Sequence, residues 1–134
     1  MIQRIAAAAA LYFGLVFALG FVLGVARTLA LAALPDISRL QAVMIEAPIM
    51  LVASWYASAF VVRRFSIPPS AAARAGMGAG AFVLLVLAEL LLDVLLVGST
   101  PKRHFQAYGE PSRALGLLAQ LCFGLMPLLQ SRWR

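Results

Sequence analysis

Residues 77–97 read MGAGAFVLLVLAELLLDVLLV, an apolar run interrupted only by Glu89 and Asp93. About 20 apolar residues in a helix cross about 30 Å of hydrocarbon, so this run is long enough to span a bilayer. Its two acids stand one helical turn apart and share a face. Ionisable side chains at that depth cost about 2.5–3.5 kcal/mol each on insertion scales, and they face protein or water rather than lipid. The other polar residues within apolar surroundings are therefore candidates for company to this pair.

The chain has 134 residues, of which 63% are hydrophobic and 12% charged, with a mean hydropathy of +0.96. A soluble domain is nearer half apolar, with about a quarter of its residues charged. The excess falls in four blocks, at residues 5–26, 42–62, 75–97 and 114–129. This pattern predicts an all-α integral membrane protein: four transmembrane helices in an up-down bundle, with residues 1–134 as a single transmembrane domain. The net charge of +6 lies in the gaps between blocks. It suits topology signals and anionic headgroups, so the lipid bilayer is an expected partner. No gap combines a basic face with stacking aromatics, so nucleic acid is not expected. The single cysteine, Cys122, excludes an internal disulfide and a cysteine-cluster metal site.

The basic start through Arg4 leads into the first apolar block, which is longer than the roughly 7–15 residues of a signal-peptide core. Arg27 interrupts the run before any cleavage site, so the block is expected to be a retained first helix. Thr28 to Leu34 can extend it as far as Pro35, with Asp36 as the N-cap of the second helix. Pro48 predicts a kink near Met44, and Trp55 and Tyr56, at mid-span, are expected inside the bundle. Arg63 to Arg74 is the most basic connector; Pro68-Pro69 stops one helix and Ser70 can cap the next. His104, alone in the last connector, is expected to be solvated. Arg4, Arg63, Arg64, Arg74, Arg132 and Arg134 fall on one side of the bundle, against Arg27, Arg39, Lys102, Arg103 and Arg113 on the other. The dense Arg63, Arg64 and Arg74 group places both termini in the cytoplasm.

Helical spacing gives each block one seam of small and polar residues. Gly20, Gly24 and Arg27 share a face of the first helix, and Glu46, Met50, Ala53 and Ala57 share one on the second. On the third, Gly78, Phe82, Glu89 and Asp93 lie together, with Gly76 and Gly80 nearly opposite. Arg113, Gly116, Gln120, Gly124 and Pro127 form the stripe of the fourth, while Cys122 falls away from it, toward lipid or another subunit. Such seams are where helices approach closely in lipid. By depth, Arg27, Glu46, Glu89, Asp93, Arg113 and Gln120 are expected to converge as one intramembrane polar network in the outer half. That network reads either as an ion-paired lock on helix order or as a proton or ion relay in a polar cavity. The two GxxxG stretches fit packing within the chain, or alternatively a homo-oligomer or a larger membrane complex. No HExxH, P-loop or GxSxG is present, and no catalytic, cofactor-binding or metal-binding residue is assigned.

Several runs together carry a family likeness: residues 24–29, GVARTL; residues 46–51, EAPIML, followed by Ser54-Trp55; residues 62–65, VRRF; Met77 through Phe82 to Glu89; and Leu115 to Leu129. They resemble a family of small, uncharacterised four-helix bacterial inner-membrane proteins. The resemblance implies a multipass protein of the bacterial inner (plasma) membrane, with Arg27, Glu46 and Glu89 as family features, and it implies no activity. The expected function is thus a non-enzymatic structural or accessory membrane component held by a buried acid–arginine network. The alternative is a small proton- or cation-coupled transporter or channel using the intramembrane carboxylates.

Overall fold

The computed structural model describes residues 1–132, which are helical with no strand among them. The elements are α1 (Ile2–Ala33), α2 (Arg39–Arg64), α3 (Ala71–Leu92), a π-helical turn (Asp93–Val97), α4 (Pro101–Gln106), a 3-10 turn (Ala107–Gly109) and α5 (Pro111–Gln130). Four of the helical segments are long and apolar enough to cross a membrane. Each runs further than its apolar block. Arg27 and the apolar residues after it continue α1 to Ala33, so this helix alone is about 48 Å long at 1.5 Å per residue.

Local chemistry sets the ends. α2 is capped not by Asp36 but by Ser38, whose hydroxyl accepts from Gln41 N while the Gln41 side chain accepts from Ser38 N. That reciprocal box satisfies two amides, whereas Asp36 lies exposed in the turn before it. Ser70 caps α3 as expected, accepting from Ala73 N. At the other end of α3, Gly98 takes φ +78°, a left-handed turn that favours glycine and releases the chain into α4.

α1 packs against α2 and α3, and α5 packs against the same two helices from the other side. Close approach is made by the glycines. A Cβ on Gly78 would stand 1.8 Å from the Gly124 carbonyl oxygen, so α3 and α5 touch backbone to backbone there. A Cβ on Gly80 would meet the Ala9 methyl at 3.1 Å and one on Gly76 would meet Ile5, so the GxxxG pair of α3 seats α1 within the chain. Gly20 lies against Met50 of α2. The core is narrow, centred on Ala8, Tyr12, Val61, Met77, Ala81 and Phe123, while large apolar side chains such as Val83, Leu87, Leu91 and Leu95 point outward. Tyr56 also points outward, 70% exposed, and Trp55 is only half-buried, contrary to the mid-span expectation. Cys122 is half-buried.

Candidate functional site

Proline chemistry organises the floor of the site. Pro127 inside α5 has no N–H to offer the carbonyl of Phe123 one turn earlier. The Tyr12 hydroxyl donates to that carbonyl at 2.6 Å, and the two rings stack with centroids 4.3 Å apart. This contact crosses the bundle from α1 to α5. Toward the chain termini from it, polar groups are buried and matched by protein. Gln130 accepts from the Ser58 hydroxyl and donates to the Trp55 carbonyl, both at 2.7 Å. Arg74, read from the sequence as a connector charge, is buried at the start of α3 and donates to the carbonyls of Pro68, Pro127 and Ile67. Arg134, counted with the basic tail, lies outside the described residues.

On the other side of Tyr12 and Phe123 the helices part around a cavity of about 590 Å³, partly open to its surroundings. Arg27, Glu46, Glu89, Asp93, Arg113 and Gln120 all line it. They do not form one network; they separate into three groups. Arg27 donates to Glu46, joining α1 to α2. Gln120 Nε2 donates to both oxygens of Glu89, at 2.6 and 2.7 Å, joining α5 to α3. Asp93 accepts from His104 Nδ1 at 2.9 Å, with Arg113 3.9 Å away.

His104 overturns the reading of a solvated loop residue. Thr100 caps the short α4 and Pro101 begins it, which turns His104 inward until only 2% of it is exposed. Its Nδ1 lies 2.9 Å from Asp93 and its Nε2 lies 3.3 Å from the Tyr108 hydroxyl. The tautomer with hydrogen on Nδ1 satisfies both contacts, donating to the carboxylate and accepting from the phenol. Arg113, 3.3 Å from Nδ1, is then a neighbouring charge rather than a donor to that nitrogen. Burial, followed by the negative charge of Glu89, pushes the Tyr108 phenol above its ordinary range. It is therefore neutral and able to donate at physiological pH. Asp93 itself begins the π-helical turn, whose extra residue per turn re-aims side chains at the α3 terminus.

The sequence signal missed at His104 was the Thr100-Pro101 start of a helix, four residues ahead of the histidine. Among the described residues no group of three or more His, Cys, Asp or Glu is placed to hold a metal ion. No known protein family, curated protein or solved structure matches this chain. The site is therefore interpreted from its own geometry.

Proposed function

We propose that this chain is a non-enzymatic multipass protein of a bacterial inner membrane, an up-down four-helix bundle that holds a small ligand in a one-ended cavity facing away from the cytoplasm. The order of contacts supports the up-down arrangement. Gly20 with Met50 and Arg27 with Glu46 run in opposite sequence directions, as do Gly78 with Gly124 and Asp93 with Arg113. The outward Val, Leu and Phe side chains on all four long helices suit contact with lipid tails.

The observation that carries the binding role is the cavity reaching Glu89. Charged groups that served only to lock helix order are expected in a dry, fully paired cluster. Here they face shared open space, while the Tyr12–Phe123 contact closes its inner end. A second reading, a proton- or cation-coupled transporter, draws on Glu89, which forms no ion pair among the described residues. It requires the Tyr12–Phe123 floor to open.

The test uses a Cys122→Ser background carrying either Gly116→Cys, on the cavity wall, or Ser58→Cys, in the matched half. A membrane-impermeant maleimide applied from the periplasmic side should label position 116 and leave position 58 unlabelled until the protein is denatured. Absence of labelling at 116 in the folded protein would sink the open-cavity reading. Reporter fusions after Arg64 should read cytoplasmic and a fusion near Tyr108 external; the reverse would invert the orientation. Flux of protons in liposomes under a pH gradient, lost in a folded Glu89→Gln variant, would promote the transporter.

A further inference from the structure

The cavity is lined mainly by apolar groups, including Phe17, Phe21, Leu85 and Phe123, and its volume lies in the ordinary range for small-ligand pockets. Its carboxylates are unequally matched. Glu46 has the Arg27 guanidinium, and Asp93 has His104 at 2.9 Å and Arg113 at 3.9 Å. Glu89 is held only by the neutral amide of Gln120 among its direct hydrogen-bond partners. An amide balances a carboxylate less well than a guanidinium does, because it brings hydrogen bonds without net charge.

The Gln120 amide is committed to this carboxylate. Its nitrogen faces the carboxylate, which turns Oε1 away into a buried position with no hydrogen-bond partner. Reversing the amide would set two oxygens against each other at the 2.6–2.7 Å now spanned by Nε2. One wall of an apolar cavity thus presents a carboxylate held by an amide, with no cation within ion-pair distance among the described residues. A positively charged N–H donor supplies Glu89 with the charge that the amide lacks.

We propose that the occupant is a lipophilic organic amine in its cationic form. Its ammonium head sits against the Glu89 carboxylate, and its apolar body lies on Phe17, Phe21 and Leu85. This assignment rests on the open-cavity reading and names its ligand class. An anionic or neutral body of the same shape gains the apolar contact but brings no positive charge to Glu89, so the pair of contacts discriminates by charge.

The experiment measures equilibrium binding to the protein in nanodiscs of zwitterionic lipid, with partition into empty nanodiscs subtracted. The probes share one body: phenylbutylamine, phenylbutanol and phenylbutyrate. The amine should bind saturably and at least about tenfold more tightly than the alcohol or the acid. Glu89→Gln should remove about that factor for the amine while leaving the alcohol unchanged. Gly116→Phe, which adds a ring where no atom lies within 4 Å of the new Cβ, should weaken the amine by filling the space. Equal binding of amine and alcohol to the wild-type protein overturns the assignment, as does undiminished amine binding in Glu89→Gln. If that variant fails to fold, the wild-type comparison of the three probes decides alone. Loss of all probe binding with labelling at position 116 intact overturns the ligand class and spares the cavity. Loss of both overturns the cavity as well.

Discussion

The two ends of this bundle handle the same difficulty in opposite ways. Around Arg74, Tyr12 and Gln130, polar atoms are buried and met by backbone carbonyls and side chains of neighbouring helices. Around Glu89, Asp93 and Arg27, helices of the same bundle leave space between polar groups. A buried polar group left unmet costs about 1–3 kcal/mol, so each end must satisfy its own. The first end does so with protein. The second sets its polar groups around open space. Backbone contact at Gly78 and Gly124 draws α3 and α5 together below, whereas above it the same helices are joined through the side chains of Glu89 and Gln120.

The contrast can be broken most severely at its tight end. Gly78→Ala sets a methyl 1.8 Å from the Gly124 carbonyl oxygen, and a helix backbone cannot yield as a side-chain tip can. Unfolding in mild detergent should show a loss of about 3 kcal/mol, the upper part of the overpacking range. A loss no larger than that of a surface alanine would mean that the helices are not in backbone contact. Arg74→Met comes next. It keeps apolar bulk but withdraws the donor from the carbonyls of Ile67, Pro68 and Pro127, at an expected cost of about 2 kcal/mol. If Arg74 were a solvated connector charge, the same change would be nearly neutral by the same measurement.

Tyr12→Phe is subtler. It keeps the ring stacked on Phe123 and removes only the hydroxyl that satisfies the carbonyl freed by Pro127. Interhelical hydrogen bonds in membranes average about 0.6 kcal/mol and reach about 1.7, so about 1 kcal/mol is expected. Replacing Pro127 with Ala in the same protein should shrink that cost, because an alanine N–H can serve the Phe123 carbonyl within its own helix. Additive effects of the two changes would show that the proline and the tyrosine do not share this carbonyl.

Much of this arrangement was legible from spacing. The separate faces of Gly76 with Gly80 and of Gly78 with Glu89 followed from helical periodicity, and they meet α1 and α5 respectively. Helix periodicity does not say how far side chains reach, so it could not split the polar residues into their three groups. Nor could it bury Arg74, whose partners include a carbonyl from a distant helix end. His104 was misread because a charge-bearing connector resembles solvent-exposed loop until its cap and first turn are recognised. Tyr56 was misplaced for another reason: mid-span position constrains depth, and rotation about the helix axis decides between bundle and exterior.

The smallest effect should distinguish the ends most cleanly. Gly116 stands on the cavity wall, and a Cβ there would meet no atom within 4 Å. Gly116→Ala therefore removes only the backbone freedom that glycine holds in the unfolded chain, without the steric cost paid at Gly78. Where helix geometry already suits an L-residue, this change stabilises by about 0.4–1 kcal/mol. The same substitution, glycine to alanine, should thus have opposite signs at the two ends of the bundle. Measured side by side, destabilisation at 116 comparable to that at 78 would mean that the cavity is closed in the folded protein. A small gain at 116 with a large loss at 78 requires the helices to touch at one end and part at the other.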